Sequence, residues 1–433
     1  MSAPIVASYG SWKSPIDAAM VARSGMGHGS LLREVRVNKT GVYWIAPRPQ
    51  EGGRHDLMRR LPNGEIENLL PAEFSAKTRV HEYGGGAYML HQDTIVFTNY
   101  QDQRLYRISP GSDPEPITPE PSSPAVSRFA DGRFSPDGRL IISVHELHRA
   151  DGQVINELVA LPSDGSGEPQ TVASGHDFYA APRFSPDGHH MAWITWDHPN
   201  MPWDGADLWV AEVSPSGQLI NPAHIAGGPD ESIFQPEWDL SGSLYFTSDR
   251  NGWWNLYRYD GDEVEPLSLT DKDIGAPQWM LGYSRYTFLP DGRIACIYDE
   301  DGLHHLGLID RENKSIEPIE SPYTSFYLYA LQSDDEGRLW FVGGSFTQEH
   351  EHIRTLLPSN QPRFRGHALR TAAASGLQPR GSDVHGPTAV AVRDSILDNT
   401  RHRRSGCQLL RQQRVWARLP RSAQRRVGHF GRR

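Results

Sequence analysis

The residues of this 433-residue chain that could carry chemistry are its histidines, cysteines, carboxylates and serines, and their spacing narrows the choice. The 19 His and 2 Cys contain no H-E-x-x-H and no C-x-x-C, so neither a metal site nor a cofactor is expected. A serine nucleophile would need G-x-S-x-G, in which a strained strand-to-helix turn lifts the hydroxyl towards its Asp and His partners. That spacing is missing, and the nearest phrase, Gly343-Gly-Ser345-Phe-Thr347, lacks the second Gly. What remains are acidic and aromatic residues in irregular, loop-like phrases: Glu82, Asp197, His198, Trp203 and Asp204. Loops on a rigid scaffold concentrate binding, and a channel carboxylate pairs with a peptide's α-amino group. These five are therefore candidates for substrate contact, not catalysis. The architectural alternative is that Gly84–Gly86 and its neighbours only fix a tight crossing, and Trp193, Trp209 and Trp238 are expected in a core.

The elements that must position those loops are strands. A turn ending in Gly or Asp followed by an apolar strand recurs seven times, at Gly41-Val-Tyr-Trp-Ile, Asp93-Thr-Ile-Val-Phe and Asp137-Gly-Arg-Leu-Ile-Ile, then at Asp187-Gly-His-His-Met-Ala, Ser241-Gly-Ser-Leu-Tyr-Phe, Asp291-Gly-Arg-Ile-Ala and Glu336-Gly-Arg-Leu-Trp-Phe. Two copies share Arg-Phe-Ser-Pro-Asp-Gly, at 133–138 and 183–188. Proline presets φ for the turn and glycine supplies the positive φ, so Ser-Pro-Asp-Gly is a hairpin turn. Second strands follow at Arg104-Leu-Tyr-Arg-Ile, Asp207-Leu-Trp-Val-Ala and Asn255-Leu-Tyr-Arg-Tyr. A period of roughly 50 residues built from strands and turns predicts an all-β, seven-bladed β-propeller, with a β-sandwich carrying coincidental turns as the alternative.

Charge divides the chain. Residues 361–433 hold 16 Arg, three Asp, no Lys and no Glu, a balance of +13 that leaves −23 for residues 1–360 out of a total of −10. Every tyrosine and lysine lies before residue 361. The tail has no apolar period with which to bury a face, so the chain reads as an N-terminal segment (1–30), a propeller (31–350) and a largely disordered Arg-rich tail (351–433). Two cysteines cannot build a disulfide framework, and neither a leader nor a run of about 18 apolar residues is present. A cytoplasmic protein off the membrane is expected. The acidic main part argues against nucleic acid as partner, and the Arg-rich tail has no Lys and no stacking pattern for RNA.

Four phrases carry a resemblance: Tyr9-Gly-Ser-Trp-Lys-Ser-Pro-Ile16, Arg79-Val-His-Glu-Tyr-Gly-Gly-Gly-Ala-Tyr88, Thr195-Trp-Asp-His-Pro-Asn-Met-Pro-Trp-Asp-Gly205 and Ser248-Asp-Arg-Asn-Gly-Trp-Trp-Asn-Leu-Tyr257. In content and order they resemble the propeller of the prolyl oligopeptidase (S9) family of serine peptidases, in its acylaminoacyl-peptidase and dipeptidyl-aminopeptidase-like branch. The resemblance implies a propeller that restricts access to an α/β-hydrolase domain acting on short or N-blocked peptides through a Ser-Asp-His triad. In this chain Gly381-Ser-Asp-Val-His-Gly-Pro-Thr388, with Ser382 and His385, resembles the family's H-G-G-P oxyanion loop with one Gly missing, and no nucleophile accompanies it.

The Lys-free, Arg-rich tail has the composition of a GC-rich gene translated out of frame. Read one nucleotide late, residues 354–365 and 395–433 can encode strings that resemble the start of the S9 hydrolase domain, including its N-Y-x-G turn. The sequence thus points to a frameshifted, truncated S9 peptidase, inactive as a hydrolase unless a separately encoded hydrolase domain joins it. A stand-alone peptide- or protein-binding propeller is the alternative.

Overall fold

The structure, a computed structural model, describes residues 32–123, 126–326, 331–345, 353–356 and 367–368. They form seven antiparallel sheets and one short 3₁₀ turn, Pro49–Glu51. Each of the seven repeats supplies the hairpin into the second strand of one sheet. Those second strands are Gly41–Arg48, Thr94–Thr98, Leu140–His148, His190–Trp196, Leu244–Ser248, Ile294–Glu300 and Leu339–Gly344. The fold is a seven-bladed β-propeller. Its seventh sheet takes a further strand from Ile353–Leu356, past residue 350 where the sequence reading ends the propeller. By internal contacts the chain divides at residue 371, and the unit 372–433 lies outside the described residues, as do the N-terminal motif at 9–16, Ser382 and His385.

The Ser-Pro-Asp-Gly turns form as their chemistry requires. Ser135 Oγ donates to Asp137 Oδ1 at 2.6 Å and accepts Leu140 N–H at 3.0 Å, while Gly138 sits at φ +74°. Ser185, Asp187 and His190 repeat the arrangement at 2.5 and 2.9 Å.

Successive side chains of a strand face opposite sides of its sheet, and here both sides are covered by neighbouring blades. In the second blade Ile95 and Phe97 pack towards blade 1 and Val96 towards blade 3. In the sixth, Ile294 and Cys296 pack towards blade 5, Ala295 and Ile297 towards blade 7. This is why the repeats read as unbroken apolar runs. Each fully buried aliphatic or aromatic side chain contributes about 1.5–3 kcal/mol. The ring closes by the same means: Leu32, Val35, Val42 and Trp44 of blade 1 share a core with Trp340, Val342 and Ile353 of blade 7.

At the centre, neighbouring first strands are tied by hydrogen bonds between backbone and bulge residues. Glu34, Asp131, Ala181 and Gln235 occupy bulges of the first strands with φ of 53°, 49°, 52° and 49°. Glu34 Oε2 accepts Ala87 N–H of blade 2 at 2.8 Å, Asp131 Oδ2 accepts Ala181 N–H of blade 4 at 2.9 Å, and Gln235 Oε1 accepts Arg285 N–H of blade 6 at 2.6 Å. Left-handed backbone at a non-glycine residue costs about 1 kcal/mol or more, and its recurrence at matching positions marks a structural device.

The Gly84–Gly86 run makes the tightest crossing. Gly85 pairs with Leu281, Leu281 N–H donates to Gly84 O at 2.9 Å, and Asp131 N–H donates to Gly86 O at 2.8 Å. Gly84–Gly86 lies between blades 1 and 2 and Leu281 between blades 5 and 6, so connections of non-adjacent blades meet across the channel. A Cβ on Gly85 would lie 2.2 Å from Leu281 O, at a φ of +93°. Gly85→Ala is expected to destabilise the propeller by about 2–3 kcal/mol in urea unfolding, whereas Gly152→Ala, whose Cβ would meet nothing within 4 Å, costs the strain of its φ alone.

Candidate functional site

The backbone crossing separates two cavities with different linings. On the face where connections enter the first strands lies an apolar pocket of about 170 Å³ lined by His81, Tyr83, Phe178, Trp196, Trp203 and Trp279, among others. On the side of the Ser-Pro-Asp-Gly turns lies a polar cavity of about 230 Å³ lined by first-strand residues of blades 1, 3, 4, 5, 6 and 7.

The apolar pocket is built by three connections. Residues 81–84 lead into blade 2, residues 196–204 join the second and third strands of blade 4, and residues 278–281 lead into blade 6. Trp203 and Trp279 rings lie 4.5 Å apart, Tyr83 meets Trp279 edge-on at 5.8 Å, and Phe178 stacks on Trp196 at 5.1 Å. His81 completes the inner wall, 5.2 Å from Phe178 and 5.5 Å from Trp196. Burial pushes the His81 imidazole down to about 4, so it is neutral at pH 7 and serves as an aromatic wall. Tyr83, Met201 and Trp279 stay exposed at 58%, 40% and 45%. Exposed aromatics converging on one concavity suit a flat apolar side chain better than an ion.

Of the five sequence candidates, Trp203 alone lines this pocket, and all five lie on its face. Glu82 is exposed, and its carboxylate accepts Arg128 Nη1 at 2.7 Å, a bond that holds its pKa below the usual carboxylate range. Arg128 Nη1 also donates to Glu146 at 2.8 Å, and His148 Nε2 meets the same Glu146 oxygen at 2.5 Å. Glu82, Glu146 and His148 place their ligand atoms within 4.8 Å of one another, as a cation would require, but the guanidinium already supplies the positive charge. Asp197 accepts from Asp177 N–H at 2.6 Å and pairs with His176 Nδ1 at 2.8 Å, which pins a turn. Asp204 accepts Met201 N–H at 3.1 Å and shapes the loop carrying Trp203, while His198 lies edge-on to Phe178 at 5.1 Å.

Tyr83 and Trp279 escaped the sequence reading. Tyr83 lies inside the quoted Arg79–Tyr88 phrase, so its position was the available signal; Trp279 stands in a segment with no motif. Cys296 is fully buried and its thiol is pushed up to about 12, which removes it as a nucleophile.

Arg36, Arg133 and Arg183 line the polar cavity, and two of them pair with Asp131 and Glu237. Arg183 Nε donates to Glu237 at 2.7 Å and its Nη1 to Asp131 at 3.2 Å, and Arg133 approaches Asp131 at 3.5 Å. Glu34, 5% exposed, has its carboxyl raised to about 7 by burial, against the opposing pull of Arg36.

No family model and no curated protein matches this chain. Solved structures do. They place this seven-bladed propeller in the prolyl oligopeptidase (S9) family of peptidases, to which the chain belongs. A puromycin-hydrolysing peptidase of Mycobacterium tuberculosis is 36% identical with a TM-score of 0.75, over 84% of this chain and 56% of that one. Puromycin hydrolase is 33% identical with a TM-score of 0.73, over 81% of this chain and 55% of that one. Prolyl oligopeptidase B from Galerina marginata, at 11% identity and a TM-score of 0.56, shares the fold. These neighbours are S9-family peptidases, and what they share with this chain is the seven-bladed propeller region. The chain spans just over half the length of the puromycin-hydrolysing relatives.

Ionising Glu34 is unfavourable in the fold, so the native state holds its proton more tightly than the unfolded chain between about pH 4.5 and 7. Stability from this group is therefore full below pH 4.5 and lost as pH rises through about 7. Glu34→Gln, which keeps an acceptor for Ala87 N–H, should match the unaltered chain in thermal unfolding at pH 4.5 and exceed it by about 2 kcal/mol at pH 8.

Proposed function

We propose that this chain is the substrate-access propeller of an S9-type serine peptidase acting on short or N-blocked peptides, and that it does not hydrolyse them itself. The observation that carries this reading is the 36% identity over 84% of the chain to a puromycin-hydrolysing peptidase. The absence of G-x-S-x-G supports the second half. The aromatic pocket supplies the contact surface. Trp203, Tyr83 and Trp279 would receive an apolar or aromatic side chain of the peptide, and Glu82, Asp197, His198 and Asp204 would shape that rim. The backbone crossing makes the propeller a cap more than a conduit, because peptide backbone already spans its channel. Hydrolysis would require the α/β-hydrolase domain, supplied in the same chain by a restored reading frame or by a separately encoded partner.

A fluorophosphonate probe should label no serine of the purified chain, and aminoacyl-p-nitroanilides should not turn over; serine-dependent turnover would overturn the inactivity. Trp203→Ala should weaken capture of a phenylalanyl peptide by the chain about tenfold, measured by fluorescence, and an unchanged affinity would remove the pocket from the proposal. The out-of-frame origin of residues 354–365 and 395–433 is checked by the nucleotide sequence, whose +1 frame should encode hydrolase-domain strands.

A further inference from the structure

The polar cavity beneath the crossing is lined by three arginines that the protein's own carboxylates engage unequally. Its volume, about 230 Å³, falls under the ~300 Å³ at which pockets for drug-sized ligands begin, so it suits a small group or one end of a larger molecule. Of its three arginines, Arg183 is fully engaged by Glu237 and Asp131. Arg133 has the longer 3.5 Å approach to Asp131 and a bond to the neighbouring Gly132 carbonyl. Among the described residues no carboxylate lies within ion-pair distance of Arg36; its guanidinium rests 5.3 Å over the Tyr88 ring, and its Nε is buried without a hydrogen-bond partner. A buried donor left unpaired is destabilising, and more so when it belongs to a charged group. Glu34 faces Arg36 across the cavity, but burial raises its carboxyl to about 7, so it offsets that charge only in part at pH 7.

We propose that the arginine-lined cavity on the turn side of the propeller channel is a binding site for an oxyanion, of the kind presented by the carboxylate end of a short peptide or by free phosphate. Arg36 and Arg133 are its donors, and Arg183, locked to Glu237, positions Asp131 behind them. A guanidinium presents its N–H groups in a fixed fork that matches both anions. Gln235, Ser284, Thr287 and Gln332 provide further polar lining. Burial, with Arg183 and Arg36 nearby, lowers Arg133 to about 9, which agrees with a surplus of positive charge there. The site is separate from the aromatic pocket, and its occupation does not depend on any peptidase activity.

The test is calorimetric titration of the full chain with N-acetyl-trialanine, its C-terminal amide, and inorganic phosphate. The free carboxylate should bind at least tenfold more tightly than the amide. Arg36→Gln and Arg133→Gln should each weaken binding at least tenfold, while Arg139→Gln, which removes an exposed turn charge, should not. Phosphate binding with the same dependence on Arg36 and Arg133, and without binding of the peptide carboxylate, would support the site and identify its ligand as a free anion. Equal binding of carboxylate and amide without phosphate binding, failure of every anion to bind at millimolar concentration, or binding unaffected by either arginine substitution would overturn the proposal. If a glutamine variant fails to fold, the carboxylate-to-amide ratio of the unaltered chain, and its loss in high salt, still decide the matter.

Discussion

The propeller depends on backbone contact at its centre. Seven sheets arranged in a ring approach most closely along their first strands, where little room is left for side chains. The bulge residues solve this: at Glu34, Asp131 and Gln235 a left-handed turn aims a polar side chain at an N–H of the next blade in chain order. At Gly86 the backbone carbonyl does the same for Asp131. Without these bonds, buried N–H groups of the inner strands would be orphaned at a cost comparable to a lost hydrogen bond each.

The Gly84–Gly86 run carries this logic to its limit by meeting Leu281 from the far side of the ring. Two cavities result from that one crossing. The outer one inherits the aromatic rings of three connections and is apolar; the inner one inherits the polar first strands and is cationic. An aromatic surface and an arginine-lined recess are thus set back to back, separated by peptide backbone. The puromycin-hydrolysing relatives share the propeller region with this chain.

Seven blades were legible because blade architecture is local: hairpin turns and short apolar strands are written in consecutive residues, and each repeat became one sheet. The family resemblance was legible for a related reason, since its phrases mark loops whose irregular chemistry is conspicuous against the repeat. The candidate site was legible in part. Trp203 lines the aromatic pocket, whereas the Glu82 carboxylate is bound by Arg128, a residue 46 positions away. Trp279 and Arg36 carry no local signature, and although Arg133 and Arg183 open the repeated Arg-Phe-Ser-Pro-Asp-Gly phrase, nothing in it shows that they share a cavity.

From the sequence alone came the all-β repeat, the sevenfold count and the division of charge at about residue 360, because strand period, turn chemistry and composition are properties of neighbouring residues. Only the tertiary structure decided that the glycine run bridges blades distant in the chain, that the aromatics of three connections share one pocket, and that three arginines from blades 1, 3 and 4 line one cavity. Each of these is a contact between residues roughly 50 to 200 positions apart, brought together by ring closure, for which no window of sequence holds the information.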